Sequence, residues 1–257
     1  MKDSKKRNVI DFLGVKIDVL DTKGLLEQTV VLSHAETPQK VMYVNTDCML
    51  LALKNEQYKQ ALNNADLVYA DGIGVVWGAR IMGDHLPGRS TGADFMPVFC
   101  DTFGRLGLRI YLLGAKPGVA EEAAERLCRR VPELQVVGTH HGYFSPSESD
   151  GLIERINKAN PHILLVGMGA PRQELWISEH LTKLKTPVVW GVGGLFDFLS
   201  GRTRRGPQWL LDNGFEWLCR LLVEPGRLWR RYLVGNTKFV LIVLWRHFFG
   251  GKKRNDP

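Results

Sequence analysis

Asp71 has the setting that most invites chemistry. It follows the apolar run 67–70 and precedes the turn Gly72-Ile73-Gly74. A carboxylate at the carboxyl end of a strand faces whatever binds above the sheet, where it can take a proton from a substrate hydroxyl. The same carboxylate can equally serve as a helix N-cap with no chemistry, and the sequence leaves both roles open. A second concentration is 167–174. Gly167 and Gly169 permit close backbone approach, Pro171 can open a helix, and Arg172, Gln173 and Glu174 fill its first turn. Helix amides beside an arginine suit a diphosphate or a sugar, while a capped junction with Glu174 on the helix dipole is the plainer alternative. In Gly88–Asp94, Thr91 or Asp94 can cap the run 95–103, and Arg89 either lies exposed or reaches over the sheet to neutralise phosphate.

Other patterns carry less. Gly72, Gly74 and Gly78 approximate G-x-G-x-x-G with the third glycine one position late, so turn and packing roles stand beside a dinucleotide one. His140 and His141 are successive, so a strand would send them to opposite faces. One buried and one exposed histidine is expected, without a shared metal. The chain contains no Asp-x-Asp and no G-x-x-x-x-G-K-[ST], which removes support for metal-dependent sugar transfer of the Asp-x-Asp kind and for P-loop hydrolysis.

These residues need a scaffold that brings them together, and the hydrophobic pattern supplies one. Short β-branched runs at 41–45, 67–70, 109–113, 135–138, 163–167 and 188–191 alternate with amphipathic stretches such as 119–130, 152–159 and 173–184. Near-continuous apolar strands alternating with helices predict a Rossmann-like α/β fold, a mostly parallel sheet with helices on both faces. Before it, 10–19 reads as a strand pair turning near Gly14 and 23–35 as a helix. Ligands of such sheets bind outside the carboxyl ends of the strands. There stand Asn45-Thr46-Asp47, Asp71–Gly74, Gly114-Ala115-Lys116, Thr139-His140-His141, the Gly167 segment and Gly191–Gly194.

Composition fits a folded chain with an unusual tail. The chain has 257 residues, 44% hydrophobic and 24% charged, enough for one large α/β domain or two small ones at roughly 150 residues per domain. Cys48, Cys100, Cys128 and Cys219 form no C-x-x-C pair, so free thiols in a reducing compartment are expected. The basic start lacks the apolar core of a signal peptide. The run 239–245 falls well short of the ~20 residues of a spanning helix. The net charge of +7 is uneven: 202–257 carries +8 and four of the seven tryptophans, while 1–201 carries −1. A body over 1–201 and a basic, Trp-rich appendage over 202–257 are therefore expected. Cations interleaved with aromatics suit an anionic membrane interface, or single-stranded nucleic acid.

Taken in order, the motifs resemble the WecG/TagA/CpsF family of bacterial glycosyltransferases. The resemblance rests on Asn45, Ala70-Asp71-Gly72, Arg89-x-x-Gly92-x-Asp94, Gly167-x-Gly169-x-Pro171-x-Gln173-Glu174 and Gly194-x-Phe196-Asp197-Phe198-x-x-Gly201, followed by the Arg- and Trp-rich tail. It spans nearly the whole chain, with Tyr43 standing where members often carry threonine. It implies a metal-independent, inverting transferase without a cofactor. Such an enzyme moves N-acetylmannosamine, or a related sugar such as its uronic acid, from a UDP-sugar to undecaprenyl-diphosphate-linked N-acetylglucosamine in surface polysaccharide synthesis. By the same resemblance Asp71 is the general base, and Arg89 and Gln173 join it at the catalytic centre. Asn45, Thr46, Gly72, Asp94, Gly167, Gly169, Glu174 and Asp197 line the substrate, with Asp197 on the nucleotide side. Arg220, Arg227 and Arg230 reach the lipid diphosphate. The implied location is the inner face of the cell membrane, held peripherally by the tail, with no nucleic-acid partner; a homo-oligomer stays open. A nicotinamide-dependent oxidoreductase using Gly72–Gly78 and an RNA-binding module using the tail are the rival readings, and neither accounts for both halves of the chain.

Overall fold

The computed structural model describes residues 7–203, 206, 207, 209, 210, 216–223 and 225–250. Strands β1 (Val9–Phe12) and β2 (Val15–Asp18) form an antiparallel hairpin, and α1 spans Thr22–Leu32. The body then runs β3 (Gln39–Val44), α2 (Thr46–Ala52), α3 (Glu56–Asn63), β4 (Leu67–Ala70), α4 (Ile73–Ile81), α5 (Gly92–Arg105) and β5 (Arg109–Gly114). It continues with α6 (Val119–Arg130), β6 (Gln135–His140), α7 (Ser149–Ala159), β7 (Ile163–Gly167), α8 (Arg172–His180), β8 (Val188–Gly191) and α9 (Leu195–Leu199). Six strands make one parallel sheet in the order β4-β3-β8-β7-β5-β6. This is the α/β, Rossmann-like architecture expected, and every strand expected in the body is present.

Burial explains the parallel arrangement. Val41–Val44, Ile163–Val166 and Val188–Trp190 are buried along their whole length, as strands covered on both faces must be. Helices α3, α7 and α8 cover one face: α3 packs on α8, and Trp176 of α8 donates to Ser149 of α7 at 3.2 Å. Helices α5, α6 and α9 cover the other. On that side Trp190 stacks on Phe95 with centroids 5.8 Å apart, and its Nε1 donates to the Tyr69 hydroxyl at 3.3 Å. This cluster fixes α5, and with it the loop that carries Arg89.

The strand order sets the position of the cleft. From β5 the chain leaves through α6 to one side; from β7 it leaves through α8 to the other, on the opposite face. The loops therefore diverge above the Gly114–Gly167 pair, the topological switch at which such sheets take ligands. Gly114 has φ +151°, and a Cβ there would lie 2.4 Å from the Gly167 carbonyl oxygen, so the two strand ends meet only as glycines.

The hairpin docks beside β4, where the Asp18 carboxylate accepts from Arg7 and from the Val68 N–H at 2.7 Å. Beyond the body, Glu216–Val223 and Pro225–Trp229 are α-helical, Arg230–Gly235 is π-helical and Asn236–Phe249 is α-helical. The last of these lies against α2 and α4. Phe239 meets Phe12 edge-on at 6.1 Å, and Thr46 Oγ1 donates to Asn236 Oδ1 at 2.8 Å. Among the described residues no helix is long and apolar enough to cross a membrane.

Three sequence expectations change. The stretch 173–184 is α-helical only to His180 and continues as a 3₁₀ turn, Leu181–Lys183. The Gly72–Gly78 segment is mostly helix α4, and its later glycines are contact points. A Cβ at Gly74 would meet Thr46 Cγ2 at 2.5 Å, and one at Gly78 would meet Phe12 at 2.8 Å and Phe239 at 3.2 Å. Those contacts give the glycines a packing role and leave the dinucleotide reading without support. Finally, His140 and His141 are both half-buried, rings 4.5 Å apart. Because β6 ends at His140, strand alternation does not govern His141.

Candidate active site

A cleft of about 1120 Å³ opens along the carboxyl ends of the strands and extends beneath the tail. Each strand-end loop contributes to it in its own way. Asn45 caps α2, its carbonyl oxygen accepting from the N–H groups of Asp47 and Cys48, both at 3.1 Å. That commitment leaves its amide N–H groups as what it can offer a ligand. Asp71 follows β4, its backbone N–H bound to the Val44 carbonyl at 2.9 Å, which seats it beside Asn45. Both line the cleft with Thr46 and Gly72.

Arg89 arrives from the loop before α5. Ser90 donates its backbone N–H to the Ala70 carbonyl at 2.8 Å, pinning the loop to the end of β4, and Arg89 faces the cleft together with Thr91. The loop spells Gly-x-Ser-x-Gly over 88–92, the spacing of a hydrolase nucleophile elbow. Ser90 is buried, however, and its hydroxyl pairs with that of Thr22 at 2.9 Å, so it is an anchor. Thr91, and not Asp94, takes the N-cap position of α5; Asp94 is exposed and lies outside the cleft lining.

Across the switch point, Gly167, Gly169, Asp197, Lys116 and Arg172 line the other end. Gln173 and Glu174 do not reach the cleft: both are fully buried beneath it. The Gln173 carbonyl oxygen accepts from Gly169 N at 3.2 Å and from Gly193 N at 2.9 Å, bridging the loops after β7 and β8. Its Nε2 donates to Glu174 Oε1 at 2.8 Å, which fixes which way the amide points. The other Glu174 oxygen is buried without a partner among the described residues, and burial pushes this carboxyl up to about 7. The pair is a strut under the glycine loops.

The phenols near Asp71 stay neutral. Burial, with the Asp71 charge a further cause, pushes Tyr43 and Tyr69 well above the usual range. Tyr43, standing where a threonine is common, closes on Gly193: a Cβ there would lie 2.3 Å from the Tyr43 hydroxyl oxygen.

The tail supplies a wall. Trp217, Leu228, Arg231, Tyr232, Asn236 and Phe239 face the cleft. Of the arginines expected there, Arg230 is exposed, its guanidinium 5.2 Å from the Trp229 ring centroid, and it is not part of the lining. Arg220 and Arg227 lie on helical backbone, and their side chains fall outside the described residues. Arg231 takes the inward position instead, with Nε 3.3 Å from Asp47 Oδ2. Burial works against its charge, and the Asp47 carboxylate beside it favours that charge. Leu228, Arg231 and Tyr232, all in the lining, stand at i, i+3 and i+4, so an ordinary helical face accounts for the inward arginine.

Among the described residues no group of three or more His, Cys, Asp or Glu is arranged to hold a metal ion. Acidic, amide and cationic side chains thus meet over glycine-lined strand ends, an arrangement suited to handling a hydroxylated, phosphate-bearing ligand.

Known proteins bear on which one. A protein of Bacillus spizizenii (strain ATCC 23059 / NRRL B-14472 / W23), N-acetylglucosaminyldiphosphoundecaprenol N-acetyl-beta-D-mannosaminyltransferase, is 30% identical to this chain over 236 residues, 89% of each. The family model of the WecG/TagA/CpsF glycosyltransferases matches residues 10–253, from the hairpin through the tail helix that completes the cleft. With body and wall both inside that match, the chain belongs to the WecG/TagA/CpsF family and is a glycosyltransferase.

Proposed function

We propose that the enzyme transfers N-acetylmannosamine from its UDP-sugar to a polyprenyl-diphosphate-linked N-acetylglucosamine, inverting the anomeric centre without a metal. The observation that carries this reading is the convergence of Asp71, Asn45 and Arg89 in one cleft with the glycine-lined switch point. The activity printed for the Bacillus spizizenii relative supports the choice of sugar and acceptor.

In this mechanism the Asp71 carboxylate takes the proton from the acceptor hydroxyl. The freed oxygen attacks the anomeric carbon from the side opposite UDP, and the carbon–oxygen bond to UDP breaks with its electrons on the diphosphate. That charge falls near Arg89, Lys116 and Arg172, which line the cleft over glycine loops that Gln173 holds in place. Asp197 serves the nucleotide side. Arg231 faces the lipid diphosphate; Arg220, Arg227 and Arg230 supply a wider basic field. Residues 1–201 act as the catalytic body and 202–257 as an appendage that rests on an anionic membrane. Leu241, Trp245, Phe248 and Phe249 are exposed on one helix with Lys238 and Arg246, as interfacial binding requires. Trp245→Glu with Phe248→Glu is expected to abolish sedimentation with anionic vesicles.

The test of the transfer is UDP release from UDP-N-acetylmannosamine with a lipid-diphosphate N-acetylglucosamine acceptor in EDTA. Acceptor-dependent release with an inverted product is expected. A product of retained configuration, or release abolished by EDTA, would overturn the mechanism; no release with this donor would overturn the sugar.

A further inference from the structure

The cleft changes character along its length. At Asp71 it is polar; away from Asp71 it becomes apolar, running between α4 and the Asn236–Phe249 helix. Trp77 and Ile81 line it from α4, four residues apart and so on one face; Val240 and Val243 line it from the opposing helix. Trp77 is 54% exposed, Ile81 39% and Val240 48%, so three apolar side chains on facing helices border a groove while remaining open to solvent. Phe239, between them, is buried against Phe12 and Gly78, which holds the two helices together below the groove. At 1.5 Å per residue, Ile73 to Ile81 carries the groove about 12 Å away from the Asp71 end.

We propose that this groove binds the first isoprenoid units of the acceptor, on the transferase reading given above. The order of chemistry along the cleft is that of such an amphiphile: hydroxyl-handling groups at Asp71, the cation Arg231 and the Asn236 amide beside them, then Trp77, Ile81 and Val240. The groove is continuous with the candidate active site, so a chain lying in it leaves the sugar and diphosphate within the same cleft. The outer end of the tail helix, with Leu241, Trp245 and Phe248 exposed, gives the remaining chain an apolar route outward. A bilayer surface alone does not match the groove, whose polar end would remain unfilled.

The test compares two acceptors that share the sugar-diphosphate head and differ only in the lipid, one with a long polyprenyl chain and one with a short alkyl chain. Both are assayed in detergent micelles, so that membrane partition plays no part. The double variant Trp77→Ser/Ile81→Ser removes two side chains that are already partly exposed, and Val240→Ser provides an independent variant on the facing helix. KM for the polyprenyl acceptor is expected to rise about tenfold or more, the scale of unburying two large apolar groups. KM for the short-chain acceptor and kcat for both should change less than about twofold. An equal rise for both acceptors, or no change for the polyprenyl one, overturns the groove assignment while leaving the transferase reading intact. Loss of vesicle binding by the variants without an acceptor-specific KM effect overturns it in favour of bilayer contact. Failure of the wild type to use either acceptor overturns the transferase reading itself.

Discussion

The glycine-rich floor over β5, β7 and β8 is tied together by backbone and amide hydrogen bonds, whereas the wall formed by the tail helix rests on ring packing around one glycine. On the floor, the Gln173 carbonyl oxygen joins two loops, Glu174 orients that amide, and the Gly114–Gly167 pair closes the strands. At the wall, Phe239 packs against Phe12 and Gly78, and two polar contacts, Thr46–Asn236 and Asp47–Arg231, add direction. The floor is continuous with the sheet, its loops tied to the strand ends. The wall joins the body through buried side chains, Phe239 and Val243, with few polar ties.

That contrast predicts where damage falls on chemistry and where it falls on assembly. The largest effect belongs to Asp71. Asp71→Asn keeps size and polarity and removes the base, so kcat should fall by about 10²–10⁴-fold with KM within a few-fold. Steady-state UDP release measures both, and an unaltered kcat would remove Asp71 from the role of base while leaving the cleft unchanged.

Glu174 gives the floor a pH signature. Its carboxyl titrates near 7 in the folded protein, raised by burial from an ordinary 4.5. Between those values the folded state holds a proton that the unfolded chain has released, so stability falls as pH rises from about 4.5 to about 7 and levels off above. At about 1.4 kcal/mol per pKa unit, the full swing is on the order of 3 kcal/mol. Glu174→Gln keeps an acceptor for Gln173 and cannot ionise. It should therefore flatten this part of the profile and melt higher than wild type at pH 8, but not at pH 4. Equal melting shifts at both pH values would mean that the buried carboxyl is not what titrates.

Gly78 tests the wall. Gly78→Val places branched carbon where Phe12 and Phe239 already stand, and overpacking of this kind costs about 1–3 kcal/mol. The prediction is local release: proteolysis within 225–250 should accelerate while the thermal transition of the sheet moves little. If both respond equally, wall and floor are one cooperative unit and the contrast between them fails.

The legibility of the two regions in sequence follows the same line. The floor was readable because its determinants are local. Apolar runs located all six strands of the sheet, and the rule for parallel sheets placed Asn45, Asp71, Gly167 and Gly193 at one edge, while Asp197 came from the family resemblance. What stayed hidden on the floor was depth. Gln173 and Glu174 look like ligand groups in a helix's first turn, and only the packing of α8 under the loops reveals them as supports. The wall was less readable because its contacts span long separations, such as Thr46 to Asn236. Which of several neighbouring arginines faces inward depends likewise on a distant partner, Asp47, that pairs with Arg231. Gly78 was visible as a glycine in an awkward place, but its partner, Phe239, lies far along the chain.

The smallest predicted effect isolates the Asp47–Arg231 pair. Asp47→Asn removes the charge that faces Arg231 while keeping an acceptor of the same shape. The pair is partly exposed, with the Asp47 side chain half open to solvent, so its contribution is of the order of an exposed ion pair, about 0.2–1 kcal/mol. If Asp47 orients Arg231 toward an anionic substrate, KM for the diphosphate acceptor should rise by about two- to fivefold with kcat retained, and the penalty should shrink in high salt as the pair is screened. Arg230→Ala, which alters an exposed side chain outside the cleft lining, should leave that KM within about twofold in micelles. The reverse ranking would give the diphosphate contact to Arg230 and leave the Asp47–Arg231 pair a packing role.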